Sequence, residues 1–176
     1  MNLKKVLLFL GLVGLVLVGR LSDHPANFAP VAGAVLVASV YLGWRYSALL
    51  GVAGMLLSDY AIGFYDWRLM LAVYGSFMAI ALLGALLNRR SGWLDIAGTS
   101  ILGSLLFFGI TNAAVWAFGS GYVHNFSGLM RSYVMGLPFL KGTLAGDLFY
   151  TGVLFGVARS YSYLKTTSLW TIKLVS

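Results

Sequence analysis

Cysteine is absent from the 176-residue sequence, and this absence removes several kinds of chemistry at once. Disulfide bonds, thiolate metal sites and cysteine nucleophiles are all excluded. Charge is also scarce, because Asp, Glu, Lys and Arg together make up 10% of the residues and no long polar stretch occurs. Soluble domains carry about 25% charged residues. The composition therefore argues against a soluble globular domain.

Apolar residues are abundant instead, at 60% of the chain with a mean hydropathy of +0.87. A transmembrane helix needs roughly 20 apolar residues, so a chain of this length has room for about six. We predict an all-α polytopic membrane protein, with residues 1–176 forming one integral membrane domain. Its compact bundle of six transmembrane helices is predicted at about 5–21, 30–44, 48–64, 69–88, 94–118 and 137–158.

The distribution of Lys and Arg predicts the orientation of this bundle. With the N-terminus inside, eight basic residues fall on the inner side and four on the outer side. Cytoplasmic loops carry the excess of Lys and Arg in membrane proteins. We therefore predict a multi-pass protein of the cytoplasmic (inner) membrane with both termini in the cytoplasm. The net charge of +7 is spread among the turns, which favours membrane lipid over nucleic acid as a partner.

Asp59 lies at the end of the apolar stretch that begins at Ala48. An ionised carboxylate at hydrocarbon depth costs roughly 2.5–3.5 kcal/mol on insertion scales, so it needs water, a partner or a ligand beside it. One interpretation is that Asp59 caps the following turn at the headgroup level. The other is that it belongs to a ligand site, where the Asn112 amide or the ligand itself would hold its carboxylate.

Many polar and aromatic residues fall on the predicted outer side, which suggests a cavity that opens there. The predicted substrate-binding residues are Asp59, Asn112, His24, Asn27, Trp116, Tyr133 and His124. An interfacial aromatic belt is the alternative for the aromatic residues, and helix–helix hydrogen bonding is the alternative for Asn112.

No catalytic residue, metal site or cofactor is predicted. The two histidines, His24 and His124, are about 100 residues apart and lack any metal-ligand spacing. A serine, a histidine and Asp59 could be combined into a triad, but no nucleophile-elbow sequence accompanies them. We therefore expect a protein that is not an enzyme.

Four segments carry a resemblance to a known family: HPANFAPVAGA, LLSDYAIGFYD, SLLFFGITNAAVW and GLMRSYVMGLPFLKGTLAGDLFYTGVLFG. From about His24 to Gly156 the chain resembles an uncharacterised bacterial family of six-helix membrane proteins. That family is described as distantly similar to the substrate-binding S components of energy-coupling factor (ECF) vitamin transporters. The resemblance implies a compact six-helix bundle that holds a small ligand near its outer face.

S components dock onto a shared energising module through an AxxxA face on helix one. In this chain the clear AxxxA pair, Ala34 and Ala38, lies on predicted helix two. The resemblance thus leaves two expectations open: a partnership with an ECF energising module, or a solitary transporter like the cobalamin-type S components. A corrinoid would be one candidate substrate, and a histidine would then have to ligate its cobalt.

The expected function is binding of a small vitamin- or cofactor-like molecule for uptake across the membrane. The alternative is a non-transport membrane protein, either an assembly protein or a small intramembrane enzyme. A cavity on the outer side would favour uptake, whereas an apolar groove open to lipid would favour the alternative.

Overall fold

The structure is a computed structural model that describes residues 2–23 and 25–175, with side chains described as far as residue 161. The described residues form six helices and no strand, as the sequence predicts. The helices are α1 (Leu3–Leu21), α2 (Val31–Leu42), α3 (Trp44–Ile62), α4 (Trp67–Gly84), α5 (Trp93–Phe118) and α6 (Phe126–Val175).

Helix α2 is the centre of the bundle and contacts each of the five other helices. Ten of its 12 residues are buried. Its sequence is apolar around the whole circumference, as is typical of a helix enclosed on all sides. The helix ends before Gly43, whose φ of +98° is a conformation that glycine adopts without strain. This residue lets α3 begin at Trp44, earlier than the sequence predicts.

Small residues let the other helices approach α2 closely. A Cβ atom on Gly33 would lie 2.9 Å from the backbone nitrogen of Thr151 on α6. A Cβ atom on Gly84 of α4 would lie 2.7 Å from the Cβ of Ser39. The AxxxA alanines of α2 are fully buried as well, which means that they pack inside the bundle and offer no exposed docking face.

Helix α6 differs from its predicted range because it begins at Phe126 and passes through Pro138. Proline is favoured in the first turn of a helix, which is why the sequence suggests a start near residue 137. The start is set instead by Asn125, whose side-chain oxygen accepts a hydrogen bond from the Gly128 backbone at 2.8 Å. This bond satisfies one of the unpaired N–H groups at the helix N-terminus.

The outer surface of the bundle carries large apolar side chains, whereas many core residues are small. Leu86 is 77% exposed and Leu94 is 89% exposed, while Ala34, Ala38 and Ala81 are fully buried. Among the described residues, two helices, α4 and α5, are long and apolar enough to cross a membrane. Only 28% and 17% of their most apolar segments is buried, so neither resembles the core helix of a soluble protein.

Candidate functional site

Asp59 is almost completely buried, with 1% of its surface exposed, and both of its carboxylate oxygens are bound. Arg20 Nη2 lies 2.6 Å from Oδ1 and forms an ion pair with it. The Tyr74 hydroxyl donates a hydrogen bond of 2.8 Å to Oδ2. Asp59 thus connects α1, α3 and α4.

The partners of Asp59 are therefore Arg20 and Tyr74 and not Asn112, which corrects the suggestion that the Asn112 amide could hold this carboxylate. Arg20 lies in the last turn of α1, where its positive charge also interacts favourably with the helix dipole. Its second terminal nitrogen contacts the sulfur of Met55. The guanidinium is therefore fixed between a carboxylate on α3 and an apolar side chain one turn earlier on that helix.

A cavity of about 270 Å³ lies beside this ion pair, and all six helices contribute to its wall. Asn27 and Ile62 are exposed wall residues, so the cavity reaches the surface where α1 joins α2 and where α3 ends. The full set of lining residues is Arg20, Asn27, Ala29, Val31, Ala32, Met55, Ile62, Val73, Phe77, Ile80, Phe107, Thr143 and Asp147.

The wall of the cavity is mostly apolar, with a few polar groups. Phe77 and Phe107 form an aromatic pair whose ring centroids are 5.2 Å apart, tilted by 39°. The polar groups come from α1, the following loop and α6, and they are Arg20, Asn27, Thr143 and Asp147. An apolar wall with a small number of placed polar groups is the usual composition of a small-molecule site.

Asp147 is the second buried acid and, unlike Asp59, it lines the cavity directly. Ser104 Oγ donates a hydrogen bond of 2.6 Å to its Oδ2 atom. One helical turn away, Ser100 and Thr151 are joined by a hydrogen bond of 3.3 Å between their hydroxyls. Because residues four apart share a helix face, these two pairs form a polar stripe along the α5–α6 interface.

Among the predicted site residues, Asn27 lines the cavity and Asp59 lies behind it through Arg20. Asn27 has a φ of 60°, a left-handed conformation that asparagine tolerates better than most residues. His24 lies outside the described residues.

The remaining four predicted residues lie together on α5, α6 and the loop between them, and they do not line the cavity. The Asn112 amide donates to the Phe108 carbonyl at 2.9 Å. The Tyr133 hydroxyl donates to the Gly109 carbonyl at 3.0 Å, and Trp116 Nε1 donates to the Val123 carbonyl at 3.1 Å. The rings of Trp116 and His124 meet edge to face, with their centroids 6.0 Å apart. Their roles in ligand binding stay predictions.

The loop between α3 and α4 fixes the start of the helix that carries Tyr74. Asp66 accepts a hydrogen bond from the Arg68 backbone at 2.8 Å and forms an ion pair with its side chain, also at 2.8 Å. These bonds, the side-chain bond first, lower the pKa of Asp66 to about 2. Partial burial, with a smaller contribution from the Asp59 charge, raises the pKa of the neighbouring Tyr65 to about 12. Asp66 is therefore charged and Tyr65 neutral at physiological pH.

Sequence reasoning missed three residues of this region: Arg20, Tyr74 and Asp147. In the sequence, Arg20 counts only as one of the four basic residues on the predicted outer side. Asp147 lies in the apolar stretch GTLAGDLFYTG, and the reasoning that selected Asp59 applies equally to it. Tyr74 carries no signal of its own, because a tyrosine in an apolar helix is usually a packing residue.

The described residues contain no cluster of three or more histidine or acidic side chains that could hold a metal ion. The fold and the site thus define an all-α protein with six helices, a buried ion pair and a small cavity. Residues 1–169 match DUF6580, described as a family of unknown function, and the chain belongs to this family. No curated protein and no solved structure matches it.

Proposed function

We propose that this protein is a polytopic membrane protein that binds a small vitamin- or cofactor-like molecule for uptake. The observation that carries the proposal is the cavity of about 270 Å³ enclosed by all six helices. Binding sites between the helices of a bundle are a recurrent arrangement for small ligands.

The exposed apolar surface supports the membrane part of the proposal. Leucines such as Leu82 and Leu86 point outward from α4 and the turn after it, where water would disfavour them and lipid would not. Small residues at the helix contacts are typical of membrane bundles, in which close backbone approach replaces the hydrophobic effect. Helix α2 spans about 18 Å, less than the roughly 30 Å hydrocarbon core, and the five surrounding helices shield it from lipid.

At the end of the bundle opposite the cavity, arginines lie over aromatic rings, an arrangement that is typical of a membrane interface and that we assign to the cytoplasmic side. Arg89 lies 5.0 Å from the ring centroid of Tyr41, and Arg159 lies 4.7 Å from that of Trp93. Aromatic rings and basic side chains collect where lipid headgroups meet the hydrocarbon. In our proposal this end and both termini face the cytoplasm, and the cavity faces outward.

The size of the cavity favours a small substrate. Drug-sized ligands occupy pockets of about 300–1,000 Å³, and this cavity lies just below that range. A molecule with one or two rings suits this volume better than a corrinoid, whose macrocycle is much larger. Because the AxxxA alanines are buried, a solitary S-component-like protein suits the chain better than docking of an ECF module through α2.

The test is the recovery of a small molecule from protein purified in detergent, with mass spectrometry of the released compounds. Val73→Phe would fill the cavity from α4, and Leu82→Phe, on the exposed face of the same helix, is the matched control. We expect wild type and Leu82→Phe to release the same compound and Val73→Phe to release at least tenfold less. No recovered compound, or equal recovery from all three proteins, would favour the alternative of an assembly protein.

A further inference from the structure

We infer that the cavity accepts a small organic cation whose ammonium group binds the carboxylate of Asp147. This inference rests on the proposed function, because it names the chemical class of the molecule that the cavity would take. The observations that carry it are the charges around the cavity, the free oxygen of Asp147 and the aromatic wall.

The charges of the cavity wall do not cancel once the ion pair is taken into account. Arg20 is the one basic residue of the wall, and its guanidinium is 2.6 Å from the carboxylate of Asp59. Asp147 has no basic partner among the described side chains, because its hydrogen-bond donor there is the neutral Ser104. The wall and the buried acid behind it therefore carry one net negative charge when all three groups are ionised.

A carboxylate that is 5% exposed and lacks a counter-ion is costly to keep charged. Ser104 binds Oδ2, whereas Oδ1 has no donor among the described residues. Among the described side chains, no polar atom is both buried and without a hydrogen-bond partner, so Oδ1 keeps some accessible surface, and Asp147 lines the cavity. An ammonium group at this position would supply both the missing charge and a hydrogen bond to Oδ1.

The aromatic pair of the wall complements such a ligand. Phe77 and Phe107 both line the cavity, with their ring centroids 5.2 Å apart. A cation within about 6 Å of a ring face is attracted by the ring quadrupole, and a ring on the ligand can pack against the same faces. The cavity thus combines one acidic group with aromatic faces in a volume that admits a compact amine.

The test compares three probes that share one ring and differ in charge: benzylamine as its ammonium ion, benzyl alcohol and benzoate. Binding to the full-length purified protein is measured by calorimetry at pH 7. The variant is Asp147→Asn, which keeps the shape of the side chain and removes its charge. The control is Asp23→Asn, which removes an exposed acid in the loop after α1, the loop that also contributes Asn27 to the cavity wall.

We expect wild type and Asp23→Asn to bind benzylammonium about ten- to a hundredfold more tightly than benzyl alcohol, as one charge-assisted hydrogen bond would give. In Asp147→Asn the two affinities should become equal, while benzyl alcohol binds as in wild type. If Asp147→Asn does not fold, the order of the affinities of wild type for the three probes still tests the inference. Equal affinities, a preference for benzoate, or a cation preference that survives in Asp147→Asn would each overturn the inference.

Failure here is distinguishable from failure of the proposed function. A neutral or anionic compound released from wild type but not from Val73→Phe would leave a binding protein without the cation preference. Conversely, benzylammonium binding that depends on Asp147, with no compound ever recovered, would support the acidic site and count against uptake.

Discussion

Arg20 and the surface arginines of the bundle have different kinds of partner. An arginine over an aromatic ring occurs at both ends, since Arg68 lies 5.3 Å from the ring centroid of Phe118 at the end that also holds Arg20. At one end Arg20 points into the protein, lines the cavity and is bound to the buried Asp59. At the other end the arginines lie over aromatic rings, in the pairs Arg45 and Trp44, Arg89 and Tyr41, and Arg159 and Trp93. The sequence shows the same residue type in both places. The partner of each arginine, which only the fold reveals, separates the arginine of the buried ion pair from the arginines that lie over aromatic rings.

The largest effect is expected from breaking the interior pair. Arg20→Met would leave Asp59 buried without its counter-ion, which typically destabilises by about 3–5 kcal/mol. We expect the lower end of this range, because the Arg20 side chain is 18% exposed. Thermal unfolding in detergent measures the effect, and the double variant Arg20→Met with Asp59→Asn should recover most of the loss. An unchanged unfolding temperature in the single variant would contradict the account of this pair.

A smaller effect is expected from the second donor to the same carboxylate. Tyr74→Phe keeps the ring and removes the hydroxyl that lies 2.8 Å from Asp59 Oδ2. A hydrogen bond to a charged group contributes roughly 1.5–3 kcal/mol. The unfolding experiment should give a loss between those of Arg20→Met and the control Tyr60→Phe, whose tyrosine is 79% exposed. Equal behaviour of the two tyrosine variants would show that the hydroxyl contributes nothing.

At the opposite end the same kind of change should matter much less. Arg89→Gln removes a cation that lies 5.0 Å from the Tyr41 ring centroid at an exposed position. Such contacts are worth about 0.5–1 kcal/mol. We expect a loss of this size or smaller in detergent. A destabilisation as large as that of Arg20→Met would remove the contrast between the two ends.

The smallest effect is expected from the exposed pair of Asp66 and Arg68. The pKa of Asp66 falls from 3.8 to about 2 in the folded protein, so its contribution is present above pH 3.8 and is lost as the pH falls through 2. The difference in stability between wild type and Asp66→Asn should therefore stay constant between pH 5 and 8. Thermal unfolding at each pH measures this difference. A difference that changes between pH 5 and 8 would contradict the prediction and show that another group titrates together with Asp66.

Composition and the lengths of the apolar runs were sufficient to predict the six helices, because each element is an apolar run closed by a turn. Pro138 led to a wrong predicted start for the last helix. Proline is often found in the first turn of a helix, whereas Pro138 lies inside α6. The start of α6 depends on a local cap at Asn125, which the position of the apolar run does not indicate.

The candidate site was only partly predictable. Asp59 stood out because a carboxylate in an apolar run is rare, and the same signal was present at Asp147. The pairing of Asp59 with Arg20 was not predictable, because it depends on how α1 packs beside α3. Asn112 and Tyr133 were selected by chemical type alone, and in the folded chain their side chains donate to backbone carbonyls of α5.

Labelling of single cysteines tests the proposed difference between the two ends most directly, since the natural chain has no cysteine to interfere. Asn27→Cys would lie at the mouth of the cavity, and Arg90→Cys would lie on the exposed turn at the opposite end. In intact cells we expect a membrane-impermeant maleimide to label Asn27→Cys and to label Arg90→Cys only after the cells are opened. Labelling of Arg90→Cys from outside, with Asn27→Cys protected, would contradict a cavity that faces outward.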